Sequence, residues 1–305
     1  MVGLCCPIRL FQEGRLQLTA ATIIFCYGIK ERSRIMDAYQ PSIWHSRERS
    51  NIVTIIIAAK NAQCWISDCI TSIRQQILPP GISLQVIIGI DACPDTLHVT
   101  TLIDWPDLVV LYFPQWCGPY SIFNTCATYA KGSLIFRFDA DDVMLPNYVA
   151  AQLDMFSQPE VSIVHTWSIH TDANLTPKEA LLSDGRFTPA DGRLRRGSAG
   201  QFAMCRAVWE HLGGFQPWFC FGDAEFLTRA KMAGFIVAEV PDFLYLRRIH
   251  PESLTRATAT DYNSMLRRFY QEQVRTMKDL WTTSKVIPPK LCPDISLHEF
   301  VRGQP

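Results

Sequence analysis

The 11 cysteines form no pair of C-x-x-C knuckles and are scattered from Cys5-Cys6 through Cys26, Cys64, Cys69, Cys93, Cys117, Cys126, Cys205 and Cys220 to Cys292. A structural zinc site therefore has little support, and an odd count without a convincing secretory signal favours a reducing, cytoplasmic compartment. Net charge is also absent, because 29 Lys and Arg offset 29 Asp and Glu. That removes any overall pull toward nucleic acid or an anionic membrane, although Arg193, Arg195 and Arg196 form a local basic patch. No G-x-G-x-x-G follows the first strand-like run, which disfavours a dinucleotide-binding dehydrogenase, and neither a P-loop nor a G-x-S-x-G elbow occurs. Long apolar runs are missing too: Leu16 to Ile29 falls short of the roughly 20 residues needed to span a bilayer. This leaves peripheral association at the inner face of a membrane as the only membrane role to expect. The first 35 residues read as a poorly ordered arm or as an upstream extension of a chain that starts at Met36. There is no internal repeat.

What is present suits a packed core. Of 305 residues, 48% are apolar and 19% charged, enough for one large domain or two small ones and unlike a disordered chain. From Asn51 the text becomes regular. Ile52 to Ala59 is a β-branched run with the composition of a strand buried on both faces. Trp65, Ile66, Cys69, Ile70 and Ile73 then recur at helical spacing, and Pro79-Pro80-Gly81 ends that helix. Leu84 to Ile90 reads as a second strand running into Asp91, Leu108 to Phe113 as a third, and about Tyr120 to Lys131 as a helix. Strands alternating with helices predict an α/β domain with a mainly parallel sheet. Ligands in such sheets bind beyond the carboxyl ends of the strands.

The next strand, Leu134 to Phe138, delivers Asp139, Asp141 and Asp142 within four positions. Clustered carboxylates repel one another, and burying them unpaired costs several kcal/mol or shifts their pKa values. A strand end tolerates them if they face water or a cation, and hard oxygen ligands suit magnesium or manganese. An acidic turn capping a helix near Pro146 is the plainer alternative. Asp91 ends a neighbouring strand in the same way, which favours a joint ligand site. The run also fits the D-x-D-x-[TV] nucleophile pattern of haloacid-dehalogenase-type phosphatases, which normally follows the first strand of its domain, but here about three strands precede it and the only later acidic site is Asp223/Glu225. Downstream, Val161 to His170 reads as a strand, Ser183 to Gly200 as a polar Gly/Arg-rich stretch, and a helix runs from about Met204 to Gly213-Gly214-Phe215. Another helix opens at Asp223 and ends near Gly234, with Asp223 and Glu225 in its dipole-favoured first turn. A closing helix spans about Tyr262 to Trp281. His165 and His170, five apart on a strand, point to opposite faces and do not share a metal.

Ile55 to Asn61, Ile88 to Asp95, Gly118 to Asp142, Gly213 to Arg229 and Arg248 to Ser253 together resemble family 2 glycosyltransferases of the GT-A fold. Ile55 to Asn61 looks like their opening strand, and Ile88 to Asp95 occupies the place of V-D-D-G-S. Gly118, Asn124, Gly132 and Asp139 to Asp142 resemble N-x-G…A-x-G…D-x-D-D. Gly213-Gly214-Phe215 with Gly222 to Arg229 resembles G-G-F followed by E-D-x-x-L-x-x-R, and Arg248-Ile249-His250-Pro251-Glu252-Ser253 resembles R-x-H-x-x-S. Each motif is loose alone; five in order are specific, and they cover about Asn51 to Thr255. The resemblance implies a GT-A domain over 51–256, with a nucleotide-binding half at 51–142 and an acceptor-binding half at 143–256. An N-terminal arm (1–50) and a C-terminal helix and tail (257–305) flank it.

The same resemblance implies transfer of a sugar, with inversion, from a nucleotide-diphosphate donor (UDP- or GDP-linked) to a hydroxyl of a glycan, lipid-linked or other acceptor in glycan assembly. Donor contacts would fall to Ala58, Lys60, Asp91, Asn124 and Asp139, and a manganese or magnesium ion to Asp141, Asp142 and His250. Asp223 or Glu225 would be the general base, which must lie within hydrogen-bond reach of the acceptor. Two departures stand out: Gly222 replaces the usual Glu beside Asp223, and Asp91-Ala92-Cys93-Pro94 replaces Asp-Asp-Gly-Ser. The Q-x-x-R-W signature of processive synthases is absent, which favours addition of one residue per encounter. A nucleotidyltransferase on a related sheet and a non-catalytic sugar-nucleotide-binding domain are the rival readings.

Overall fold

Four strand-length apolar runs pair in parallel: β1 (Ile52–Ala59), β2 (Ser83–Asp91), β3 (Leu108–Phe113) and β4 (Leu134–Asp139). β1 lies between β2 and β4, with β3 beyond β2. The computed structural model describes residues 50–105, 107–197, 200–284, 290–291 and 295–303. Apart from Ser50, the expected arm over 1–50, including Leu16–Ile29 and Met36, lies outside the described residues.

Period-two alternation sends side chains to both faces of this sheet. Val53, Ile55 and Ile57 join one core with Ile66, Cys69, Ile70 and Ile73 of helix α1 (Ile66–Arg74). Ile56, Ile87, Val109 and Leu111 join a second core with Ile122, Phe123 and Cys126 of α3 (Pro119–Ala127), which follows α2 (Pro94–Thr101) in the chain. Ile55, Ile56 and Ile57 are fully buried, each contributing roughly 1.5–3 kcal/mol. Cys69 and Cys126 act here as small apolar fillers, and burial pushes both thiols up. Gly89 permits the closest approach of α3 to the sheet, since a Cβ there would lie 2.3 Å from the Ile122 side chain.

The second half of the sheet is mixed. After β5 (Val143–Met144) and α4 (Tyr148–Met155) come β6 (Val161–Thr171), β7 (Arg193–Leu194) and β8 (Phe202–Cys205), then α5 (Arg206–Leu212), α6 (Gly222–Met232) and β9 (Ile236–Arg248). With the C-terminal strand β10 (Glu299–Arg302), the strand order is β10-β3-β2-β1-β4-β8-β6-β9-β5, with β7 beside β6. β8 runs antiparallel to both β4 and β6, whereas β9 is parallel to β6. The chain therefore has the mixed, mainly parallel α/β architecture expected of it. Its order of parallel strands aligns the ends of β1, β2 and β4 along one edge.

Several elements differ from the sequence expectation. The segment from Met204 begins as strand because Phe202 and Met204 alternate with Ala203 between the two cores. The helix starts only at Arg206, and Gly213 closes it in the left-handed region at φ 71°. β9 carries Pro241, Glu239 and Asp242, so its pattern does not read as a strand; the ladder passes over Pro241 and Asp242 by a register shift opposite Thr166 and Trp167. The closing helix is α7 (Met265–Ser284), and the tail returns as β10 (Glu299–Arg302), antiparallel to β3 on the sheet edge. Among the described residues, no helix is long and apolar enough to cross a membrane.

Candidate active site

The carboxyl ends of β1, β2 and β4 open into a cleft of about 660 Å³. Ala58 and Lys60 at the end of β1, Asp91 at the end of β2, and Asp139, Asp141 and Asp142 at the end of β4 line it. Asp223 and His250 line it from the second half of the chain. Asn124 and Glu225 do not.

The three acids after β4 each offer an oxygen within 4.8 Å of the others. Arg137 pairs with Asp139 at 3.0 Å. Gln201, buried on the approach to β8, donates its side-chain amide to both Asp139 (2.9 Å) and Asp142, and its carbonyl accepts the Asp139 N–H. The Arg248 N–H donates to the second Asp142 oxygen at 2.9 Å. These partners do not offset three charges. Burial pushes the Asp142 carboxyl well up, with Asp141 and Asp139 adding to the effect. Asp139 is raised first by burial, against the pull of Arg137, and then by Asp141 and Asp223. Crowded hard oxygens with unrelieved negative charge fit a divalent cation such as magnesium or manganese. His250 brings Nε2 to 3.0 Å from Asp141 Oδ2.

The R-x-H-x-x-S segment builds this corner. Arg248 donates to Asp68 (2.9 Å), to the Asp141 carbonyl (2.8 Å) and to the Ala173 carbonyl, and lies over the Trp65 ring. Ser253 Oγ accepts the His250 N–H at 3.2 Å, and the Ser253 N–H returns a bond to the His250 carbonyl. Trp65 in turn packs its ring 5.2 Å from His250. Asp68, Trp65 and Gln201 were not singled out from the sequence as site residues. Trp65 and Asp68 stand three apart at the start of α1, a spacing that shares one helix face; Gln201 carries no motif at all.

Asp91 is buried and accepts N–H groups from Cys117 (2.9 Å) and Gly118 (3.0 Å), so it orders the loop that leads into α3. Burial raises its carboxyl above the usual range against those two bonds and Lys60. At the mouth, Lys60 sits over the Trp116 ring, which stacks on Phe219 at 4.4 Å.

Two acids in the first turn of α6 have separate fates. Asp223 is partly exposed to the cleft, and its carboxylate accepts the Ala224 N–H at 2.8 Å. Glu225 is 2% exposed and locked to Arg229 at 2.8 and 3.0 Å. Arg229 also donates to the Leu212 and Gly214 carbonyls, so this pair holds the Gly213-Gly214-Phe215 turn. The expectation that Glu225 could be the base is corrected: helical spacing turns it into the core. Asn124 is corrected likewise. It is fully buried, donates to the Phe215 carbonyl (2.8 Å) and accepts the Phe215 N–H and the Trp209 indole N–H, which makes it a tie between α3 and that turn and not a donor contact. Gly222 has a steric reason: a Cβ there would meet the Tyr120 ring at 2.8–3.0 Å.

Comparison with known proteins agrees with this geometry. The family described as Glycosyl transferase family 2 matches residues 54–211, just over half of the chain. The chain belongs to glycosyl transferase family 2 and is a glycosyltransferase. Staphylococcus aureus (S. aureus) TarS in complex with UDP is 15% identical with a TM-score of 0.52, covering 76% of this chain and 72% of that one. The same protein with UDP-GlcNAc gives 14% and 0.53, covering 76% and 73%. The mannosyltransferase PcManGT from Pyrobaculum calidifontis, in complex with GDP-Man and Mn2+, is 17% identical with a TM-score of 0.56, covering 77% and 70%. At these identities the likeness establishes the shared GT-A fold. A search of curated proteins finds no match.

Proposed function

We propose that this glycosyltransferase moves a single hexosyl or related unit from a nucleotide-diphosphate sugar to an acceptor hydroxyl with inversion, and that Asp223 is its general base. The observation that carries this reading is that Asp223 and the Asp139–Asp142 cluster line one cleft. The charge of Asp223 also bears on Asp139.

Asp91 orders the 117–118 loop and keeps oxygen lone pairs for the nucleoside, alongside Ala58 and Lys60. Asp139 faces the ribose. Asp141, with Asp142 and His250, would hold a manganese or magnesium ion, which when bound would neutralise charge on the leaving diphosphate. Asp223 takes the acceptor hydroxyl proton as that oxygen bonds to the anomeric carbon. The bond from that carbon to the diphosphate oxygen breaks, and the nucleoside diphosphate leaves with its electron pair. A single displacement attacks the face opposite the leaving group, so configuration inverts. UDP- and GDP-sugars are the donors to test first, since TarS was captured with UDP and UDP-GlcNAc and PcManGT with GDP-Man. The setting we infer is assembly of a cell-surface polysaccharide, lipopolysaccharide or other glycan.

A panel of nucleotide sugars screened for manganese-dependent thermal stabilisation tests the donor class, because binding to the native state raises apparent stability. Product analysis tests the reaction. Release of nucleoside diphosphate supports transfer, whereas release of pyrophosphate would make the chain a nucleotidyltransferase.

A further inference from the structure

The cleft has a second wall of opposite sign. Its acids gather where the strands end, at Asp91 and Asp139 to Asp142, together with Asp223. The segments that follow β4 contribute Arg196, Arg247, Arg248 and Arg267 to the same cleft, with Glu252 as the one further lining acid among the described residues. Several cleft arginines have protein partners: Arg137 pairs with Asp139, and Arg248 with Asp68. Arg267 is spent on the carbonyls of Leu254, Thr260 and Asp261.

Arg247 differs. It is only partly buried at the end of β9, faces the Tyr262 hydroxyl, and makes no ion pair with any described residue. Among the described residues, the Arg196 side chain pairs with Asp184 alone, at 3.2 Å, in a pair that is 43% and 37% exposed. Exposed pairs of this kind are worth little and exchange readily for a better anion. Arg247 keeps its donors free of direct contact with the carboxylate of any described residue, and the planar fork of a guanidinium suits phosphate or carboxylate.

We propose that this wall is the acceptor subsite and that Arg247 and Arg196 bind an oxyanion carried by the acceptor. The assignment rests on the transferase reading above. Arg247 lines the cleft close enough to the acids for its charge to act on Asp139 and Asp142, and it acts on His170 as well. An anion held there sits beside the acid cluster without entering it, while Asp223 remains available in the same cleft for the neighbouring hydroxyl. A bare anion is repelled by three crowded carboxylates, so the arginine wall is the place for an anion that brings no cation. The positive field is strong enough to act on a buried neighbour: His170 is held neutral, its pKa lowered to about 3 by burial first and then by Arg247, Arg196 and Arg256.

The test is calorimetric titration of the full chain in EDTA with glycerol 1-phosphate and with glucuronate, each against its neutral counterpart, glycerol and glucose. The anionic member should bind at least about tenfold tighter than its counterpart, and the stronger of the two anions identifies phosphate or carboxylate as the group recognised. Arg247→Gln and Arg196→Gln should each weaken the anion by about tenfold or less while manganese-dependent binding of UDP or GDP changes less than about twofold. Arg196 lies on the surface, so its variant keeps the test alive if Arg247→Gln does not fold. Equal binding of anionic and neutral probes overturns the subsite while leaving the transferase reading intact. Equal weakening of nucleoside diphosphate and glycerol 1-phosphate also overturns it, by assigning both guanidiniums to the donor. If neither UDP nor GDP binds the wild type with manganese, the transferase reading fails, and the acceptor role fails with it.

Discussion

The two halves of the sheet hold their functional groups by different means. In the first, β1 to β4 are joined by a regular parallel ladder, and Asp91 and Asp139 are simply the last residues of buried strands. In the second, the ladder is interrupted and buried arginines take over. Arg229 gathers the Leu212 and Gly214 carbonyls, Arg248 those of Asp141 and Ala173, and Arg267 those of Leu254, Thr260 and Asp261. Each guanidinium supplies up to five donors in a rigid fork, enough to satisfy several carbonyls that no strand reaches. The contrast teaches that a single chain can set one wall of a site by backbone pairing and the other by side-chain forks. The second wall is therefore more exposed to point mutation.

Asp223 and Glu225, two residues apart on α6, should respond to mutation in opposite ways. Asp223→Asn should cut turnover by roughly 10²- to 10⁴-fold with nucleotide binding and melting temperature nearly unchanged. Glu225→Ala should do the reverse. It leaves Arg229 buried without its carboxylate, which costs about 3–5 kcal/mol in denaturant unfolding, while the remaining folded protein keeps its turnover. Unchanged turnover in Asp223→Asn would falsify the base assignment. A smaller effect is expected at Gly222, where a methyl group must push the Tyr120 ring. Gly222→Ala should cost about 1–3 kcal/mol in stability, and Tyr120→Ala in the same chain should recover part of it; strict additivity of the two changes would show that they do not meet.

The pH dependence of stability probes the arginine-rich half. His170 is fully buried, neither ring nitrogen is hydrogen-bonded to a described residue, and its pKa falls from 6.5 to about 3. A depressed folded pKa contributes its full stability above 6.5 and loses it as the pH falls toward 3. At pH 5 the loss is about 2 kcal/mol. His170→Leu should flatten that part of the pH–stability curve, and an unaltered slope would show that other groups carry it.

Legibility follows the same divide. β1 to β4 are readable because burial on both faces demands continuous β-branched runs, and the acids at their ends interrupt those runs visibly. β9 is not readable because Pro241 and its flanking charges sit on a register shift, and β10 is not because four residues on a sheet edge leave no periodic pattern. The cleft positions of Asp91, Asp139, Asp141, Asp142, Asp223 and His250 follow from motif order. Asn124 and Glu225 do not reach the cleft, since one side of a helix faces ligand and the next faces core, a distinction that spacing alone decides only once the helix is docked. Gln201 braces the acids and Arg247 lines the cleft without any sequence pattern, because proximity created by the fold recruits them.

In the reading proposed above, the acids at the end of β4 form a cation-dependent platform for the donor. The most direct measurement is equilibrium binding of UDP and GDP to the wild type and to Asp141→Asn, with and without manganese. One of the two nucleotides should bind the wild type only with manganese, and Asp141→Asn should weaken this binding by at least about tenfold. Binding that ignores manganese, or that Asp141→Asn leaves unchanged, would contradict it.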